Sequence, residues 1–452
     1  MLKISNLSFS YTEQTLLDHV NLTLSGRQIV AIIGDNGSGK TTLLDLIAGE
    51  LAPDDGAIIA DGRIGYLHQT NDNLINKSGG ERTQICLRCA LNKHPDILLL
   101  DEPTNNLDSK AKQWLVNELM MFNGLVLMAS HDRSFIDQVA NKLIEIHDGL
   151  ANIYNGNYSD YLHSQRLIND EKWLAYNNAL TERRRLTKRV NQLRSETRSV
   201  SHRHYDKHRD EDRMAWQSKR GHVQAATGRA IKSIGARLRR LDNIEKPHER
   251  KQYVAHVTAT FLRNRRLVQV VDLSMSYGDK VLFNNITFDI WTGQRWRIAG
   301  GNGSGKSTLC RIILDEIKAT QGIVKVSPNV QIGYISQDQP NLDMSRCFLE
   351  QIGVCDLAEV YKAASTMDFS PSDMRRPVGQ LSRGQITKLA ILKIILCPSD
   401  LLILDEITNH LDIRAQENIE NALSKYPGAI LLVTHNERFA ESLGCGDTAI
   451  AL

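Results

Sequence analysis

The pattern Gly-x-x-x-x-Gly-Lys-Thr/Ser occurs twice, as Gly34-Asp35-Asn36-Gly37-Ser38-Gly39-Lys40-Thr41 and as Gly300-Gly301-Asn302-Gly303-Ser304-Gly305-Lys306-Ser307. Such a loop lets backbone N–H groups and a helix N-terminus face an anion, so it demands a strand before it and a helix after it. The flanks comply. Residues 29–33 and 296–299 are strand-like, and residues 42–47 suit a helix. One match alone could be a Gly-rich turn that ends a strand. Two matches at corresponding points of two similar halves point instead to a duplicated phosphate-binding machine.

Buried-strand candidates follow at 97–100, 125–128, 401–404 and 430–433, separated by helical stretches, which implies parallel sheets. Each half therefore reads as an α/β domain, residues 1–156 and 264–452. Between them, at 157–263, Trp173, Tyr176, Leu180, Leu186, Val190 and Leu193 recur at helical steps, as do Ile231, Ile234, Leu238 and Leu241. Residues 194–230 interrupt the two stripes with polar, basic sequence containing Gly221 and Gly228. The expected form is an antiparallel helical hairpin with an extended tip, reaching about 60 Å if an arm holds about 40 residues; a flexible linker is the competing form.

The net charge of +3 hides a strong asymmetry. Residues 181–240 hold 18 Lys and Arg against 6 Asp and Glu, leaving 37 against 46 in the other 392. A block of this size and sign attracts phosphate backbones or acidic lipid, unless it is only a solvated helix face. With 41% apolar and 24% charged residues in 452, the composition is that of a globular protein with ample core. No apolar run reaches the roughly 18 residues of a membrane span, and the first residues lack a signal-peptide layout, so a cytoplasmic location is expected. Seven scattered cysteines argue against a disulfide framework, and Cys86-x-x-Cys89 reads as one packed helix face.

The chemistry-bearing residues also come in pairs. Lys40 and Lys306 supply mobile charge; Thr41 and Ser307 place a hydroxyl where Mg²⁺ would bridge phosphates. Asp101-Glu102 and Asp405-Glu406 each follow four apolar residues. The Asp suits a metal and its water, and the Glu suits a base for an attacking water. An acidic pair after a strand is equally a helix cap, but here it recurs downstream of each phosphate loop.

Further motifs make the pattern specific. Ser78-Gly79-Gly80-Glu81 and Leu381-Ser382-Arg383-Gly384-Gln385 resemble the signature of ATP-binding-cassette (ABC) ATPases. Gln69 and Gln337 match the Q-loop and add to the expected metal set of Thr41, Asp101, Ser307 and Asp405. His131 and His435 match the switch histidine, and Tyr11 and Tyr277 the aromatic that stacks on adenine. Asn106-Leu107-Asp108 and His410-Leu411-Asp412 match the D-loop. Two such cassettes joined by a basic helical linker, with Thr104-Asn105 and Thr408-Asn409 after the acidic pairs and Gly156-Asn157-Tyr158-Ser159-Asp160-Tyr161 at the junction, resemble the ABC-F family of ribosome-associated ATPases along the whole chain.

The resemblance implies two P-loop nucleotide-binding domains joined by an α-helical hairpin. They would close head-to-tail on two ATP molecules with Mg²⁺, in a monomer whose cassettes form an intramolecular dimer. It implies catalytic roles for Glu102, Glu406, His131 and His435. Nucleotide contacts are expected from both phosphate loops with Thr42 and Thr308, from Tyr11 and Tyr277, and from Ser78, Gly80, Ser382 and Gly384 reaching across. The implied partner is the ribosome, its RNA and peptidyl-tRNA near the exit site, with no DNA and no membrane segment. Only eight residues separate Gln69 from Ser78, against 44 between Gln337 and Ser382. That shortened first half is similar to the antibiotic-resistance branch of the family. Arg383 for the usual Gly, and Ile407 where the first half has Pro103, depart from the pattern. Rival expectations are a housekeeping translation factor of the same family, a transporter's ATP-binding subunit, and a scaffold that binds ATP with negligible turnover.

Overall fold

The computed structural model describes residues 1–11, 14–69, 79–105, 107–202, 210–242, 244, 246–247, 265–278, 280–336, 342–352, 356–367, 369–397, 399–408, 411–445 and 448–452. Ser78, Asn106, Gln337, Asn409, His410, residues 203–206 of the tip and the Arg383 side chain lie outside the described residues. The chain forms two compact units, Met1–Tyr161 with Lys251–Leu452, and Leu162–Arg250.

In the first unit each half is built around a sheet whose middle strands are apolar but for a terminal Asp in two of them. Ile97–Asp101, Leu125–Ala129, Leu401–Asp405 and Ala429–Val433 are buried at every position. Parallel strands covered on both faces have no solvent side to alternate with, so they read as unbroken apolar runs. The first-half sheet runs in the order Ile64–Leu67, Ile97–Asp101, Leu125–Ala129, Gln28–Gly34, Lys142–His147, Leu150–Asn155, with only the last pair antiparallel. The second runs Ile332–Ile335, Leu401–Asp405, Ala429–Val433, Arg295–Ala299, Ala449–Ala451, all parallel. Both phosphate-loop strands are interior, and the carboxyl ends of their neighbours open beside the loop, where open α/β sheets bind ligands.

The expectation of parallel sheets alone is incomplete. Each half adds a three-stranded antiparallel sheet, Gln14–Leu24, Leu2–Tyr11 and Asp55–Ala60 in one, Lys280–Trp291, Arg266–Tyr277 and Gln321–Val326 in the other. Their inner strands bury one face, such as Leu2, Ile4, Leu7 and Phe9. The register shifts between Ile4 and Leu7 and again between Val270 and Leu273. Asn6 (φ 52°) and Asp272 (φ 51°) sit at these bulges. Opposite them, a Cβ on Gly56 or Gly322 would run into the Asn6 or Asp272 carbonyl, so the same glycine is required at both places.

The halves differ after the sheet's outer strand. The second inserts Leu357–Thr366 and three short 3₁₀ turns before Arg383–Leu396, packed through Phe348, Val360, Met374, Val378 and Leu389. Among the described residues the first half has no counterpart before its helix Gly79–Leu91. Cys86 and Cys89 lie on that helix as expected, although Cys89 is exposed rather than packed.

The second unit takes most of the helix Tyr158–His202 and all of the helix Asp210–Asp242. They run antiparallel: Arg237 lies 3.2 Å from Glu182, Arg183 lies 3.4 Å from Asp242, and Lys246 sits 5.6 Å above the Trp173 ring. The stripes face inward, with Ala179, Val190 and Leu193 buried. The polar stretch 194–230, where the apolar stripes are interrupted, is helical over 194–202 and 210–230. Among the described residues, helix runs to residue 202 and again from 210, and Gly228 sits inside the second with open space around its α-carbon. An exposed mid-helix Gly costs only about 1 kcal/mol, too little to break a helix supported on either side. The first helix has 45 residues, about 68 Å of rise at 1.5 Å each. Among the described residues no helix is long and apolar enough to cross a membrane.

Candidate functional site

Each phosphate loop closes on its own lysine. Lys40 Nζ donates to the Gly34 and Asp35 carbonyls, both at 2.9 Å, and Lys306 Nζ to those of Gly300 and Gly301, both at 3.0 Å. Gly39 (φ 97°) and Gly305 (φ 99°) open the following helices in the left-handed region, which a side chain would resist. A Cβ on Gly34 would stand 2.6 Å from Ser38 Oγ, and one on Gly300 2.5 Å from Ser304 Oγ. Both hydroxyls are buried without a hydrogen-bond partner among the described residues. Buried polar atoms without partners are costly, so a pair at matching positions fits an anion bound in each loop.

The acidic pairs sit two strands away. Thr41 Oγ1 donates to Asp101 Oδ2 at 2.9 Å, bringing together two of the expected metal ligands. Asp101 and Asp405 are buried. Glu102 (φ 48°) and Glu406 (φ 51°) both adopt a left-handed backbone, fixed by hydrogen bonds from their N–H groups to Ala129 O (2.9 Å) and Val433 O (3.0 Å). Such strain costs on the order of 1 kcal/mol and is held where the surroundings over-determine it.

Glu102 and His131 are in contact, Oε1 to Nε2 at 3.2 Å, with the His131 N–H donating to Oε2 at 3.3 Å. Burial raises the Glu102 carboxyl well above its usual range, opposed by Lys40, and pushes the His131 imidazole down to about 3. The second half repeats this. Burial pushes Glu406 up to about 7 and His435 down to about 4. The neutral His435 Nε2 lies 3.1 Å from Lys306 Nζ, 3.1 Å from Asn302 Oδ1 and 3.5 Å from Glu406 Oε1. A carboxylate tuned toward neutrality suits transfer of a proton from water.

A single cavity of 1460 Å³ runs along the seam between the halves. From the first half it is lined by Tyr11, Asn36, Gly37, Gly39, Lys40, Thr41, Thr42, Gln69, Asp101, Glu102 and His131. From the second it takes Tyr277, Asn302, Gly303, Gly305, Lys306, Ser307, Thr308, Ser382, Gly384, Asp405, Glu406 and His435. Ser382 also caps the helix behind it in a reciprocal box with Gln385. Asp35 does not line the cavity; it turns to the other half, where Arg414 donates to its Oδ2 at 2.9 Å. Gly80 is placed only as the second residue of its helix.

The seam is head-to-tail. Asp35 of the first phosphate loop meets Arg414, just beyond Asp412, and Asp108 Oδ2 lies 3.8 Å from the Cβ position of Gly301 in the second loop. Residues that sequence reasoning missed also line the cavity: Arg82, Lys112, Lys280 and Gln416. Lys112 Nζ pairs with Asp132 Oδ2 at 2.6 Å. The only sequence signal for it is its place one turn beyond Asp108.

Two α/β domains, each with a phosphate loop lining the one cavity, define a tandem nucleotide-binding protein. The sequence model of the family described as ABC transporter matches residues 17–76 and 283–409. The chain is 31% identical to the ribosome protection protein VmlR of Bacillus subtilis (strain 168), over 97% of this chain and 84% of that protein. It is 29% identical to the erythromycin resistance ATP-binding protein MsrA of Staphylococcus epidermidis, over 97% of this chain and 95% of the other. A solved structure titled RNase-L Inhibitor shares the fold, with TM-score 0.62, 16% identity, and coverage of 99% of this chain and 87% of that one. The chain belongs to the ABC-F family of ATP-binding-cassette ATPases. It is an ATPase whose cassettes bind ATP.

Proposed function

We propose that this ATPase is a cytoplasmic ribosome protection factor. In this reading cassettes 1–156 and 264–452 close on two ATP molecules, and the hairpin at 157–263 engages ribosomal RNA and peptidyl-tRNA near the exit site. The observation that carries it is the match to VmlR and MsrA along nearly the whole of this chain, 84% and 95% of their lengths. The ATP-binding protein Uup of Haemophilus influenzae is spanned only to 77%, so in length this chain lies nearer the two relatives named for protection and resistance. The absence of a described insertion between the first sheet and Gly79–Leu91 supports the same branch.

Lys40 and Lys306 leave their loop carbonyls to hold the triphosphates. Glu102 and Glu406 each take the proton of the attacking water, and His131 and His435 orient the reacting end. Ser382 and Gly384 complete the first site from the opposite cassette; Ser78 and Gly80 complete the second. Thr41, Gln69 and Asp101, and Ser307, Gln337 and Asp405, would hold Mg²⁺, which would supply positive charge against the triphosphate. ATP touches both halves only when they are closed, so it shifts the population to that state. The Lys and Arg of the hairpin then neutralise RNA phosphates.

The test is a Glu102→Gln, Glu406→Gln double variant. Turnover should fall by at least about a hundredfold while ATP binding survives, and the protein should sediment with ribosomes in ATP but not in ADP. Wild-type turnover removes the catalytic assignment. Equal sedimentation in both nucleotides removes the clamp.

A further inference from the structure

The first turn of the long helix Tyr158–His202 is held by both cassettes. Tyr158 Oη donates to Glu417 Oε1 at 3.3 Å, on the second-half helix Ile413–Ser424. The Ser159 N–H and Oγ donate to Asp137 at 2.7 and 2.9 Å, and Asp137 Oδ2 in turn accepts from Arg438 of the second half at 3.4 Å. Tyr161 Oη donates to Glu145 Oε1 at 2.7 Å, and the same oxygen lies 3.6 Å from Arg414 Nη2. The other terminal nitrogen of Arg414 reaches Asp35 in the first phosphate loop.

Tyr158 and Tyr161 are buried. Burial beside Glu417 and Glu145 pushes both phenols far up, so they remain donors. The cluster is divided between the halves: Asp35, Asp137, Glu145 and the first helical turn come from one side of the seam, and Arg414, Glu417 and Arg438 from the other. It is complete only while the two cassettes are together.

Simple adhesion does not account for this placement. The buried Arg133–Glu420 pair already ties the seam, whereas Arg414 and Asp35 are 46% and 40% exposed. An exposed pair shifts an equilibrium only about two- to fivefold. Such contacts add little to closure but suffice to bias where one helical turn sits.

We propose that Arg414 is a positioning residue that couples the first phosphate loop to the root of the hairpin, through Asp35 on one side and Glu145 with Tyr161 on the other. The coupling rests on the reading that ATP closes the cassettes. It gives the linker helix a direct register of nucleotide state at one site.

Hydrogen exchange on the full chain, in ADP and in a non-hydrolysable ATP analogue, separates the two claims. Peptides from 34–48 report the phosphate loop, and peptides from 158–170 report the root. In the wild type the analogue should slow exchange at both, by roughly tenfold at the root when its three links act together. Arg414→Met should keep the slowing at 34–48 and lose about two- to fivefold of it at 158–170. Tyr161→Phe keeps the ring and cuts the far end of the link, so it should do the same with unchanged nucleotide affinity. A purely structural role would speed exchange at the root equally in both nucleotides, and that result overturns the coupling. Root protection at the wild-type level in both variants overturns it as well. No analogue-dependent slowing at 34–48 in the wild type overturns the closure reading and the coupling together.

Discussion

Arg133 and Glu420 form a buried ion pair across the seam, Nη1 to Oε2 at 3.1 Å, with side chains 5% and 15% exposed. Arg133 Nη2 also donates to Ile413 O at 2.9 Å. Among the described residues the pair has no twin at the matching position of the second half. The residue two beyond His435 is Glu437, where Arg133 stands two beyond His131. Burial raises the Glu420 carboxyl in spite of the guanidinium, a sign that desolvation outweighs attraction and that neither partner tolerates being left alone.

Replacing Arg133 with Met should therefore weaken the closed state by about 3 kcal/mol, because Glu420 would be buried unpaired. The double variant Arg133→Met, Glu420→Met should recover much of that loss. Nucleotide-dependent closure, read by energy transfer between dyes on the two cassettes, checks both. A double variant as impaired as the single one would mean that the Ile413 contact, not the ion pair, holds the seam.

Acid should act through the buried pairs of the cassettes. Asp412 lies 3.1 Å from Lys388, caps the helix Ile413–Ser424 through the Ala415 N–H, and is depressed by these partners despite its burial. Its folded pKa lies below the unfolded value near 3.8. Its contribution is therefore present above pH 3.8 and is lost as pH falls through the folded pKa. Asp412→Asn keeps a good cap but strands a buried ammonium, costing about 3 kcal/mol near neutrality. Thermal melts of wild type and variant should converge as pH drops below about 4. A constant gap down to about pH 3 would show that Lys388 is not its partner.

Legibility of the sequence followed solvent exposure and locality. The strands Ile97–Asp101 and Leu401–Asp405 were readable because burial on both faces leaves an unbroken apolar run. The outer antiparallel sheets were not, since the bulges at Asn6 and Asp272 break the two-residue alternation that would betray them. Helix through 194–202 and 210–230 was hidden by polar sequence and two glycines, which carry no periodic stripe. Lys40, Thr41 and Asp101 could be found by motif because a loop and a strand end specify them locally. Arg133, Arg414 and Lys112 could not, for their meaning depends on partners 20 to 379 positions away.

The structure sharpens the expected electrostatics of the linker. Arg183 is engaged with Asp242 of the opposite arm, and Arg185 pairs with Glu182 of its own helix. Arg184, Lys188 and Arg189 are exposed. Neutralising those three should reduce the slope of log affinity for ribosomes against log salt by about 2, near 0.7 for each RNA phosphate left without its cation. ATPase without ribosomes should be unchanged. An unaltered slope would make this face a solvated surface with no RNA under it.

Deleting residues 200–224 tests the protection reading most directly. The cut shortens both arms together and lies beyond the pairs Glu182 with Arg237 and Arg183 with Asp242, so the stem below should stay paired. If the distal end acts on bound drug or on the tRNA that the drug disturbs, the deletion should abolish protection while ribosome sedimentation in ATP persists. The measurement is growth of a drug-sensitive bacterial host carrying wild type, deletion or empty vector. The panel is lincosamides, pleuromutilins, streptogramins, macrolides and phenicols. Wild type should raise tolerance to at least one class, and the deletion should return it to the vector level. No rise from well-expressed wild type would leave a general translation factor as the better account. A deletion that still protects would place the activity in the cassettes or the stem.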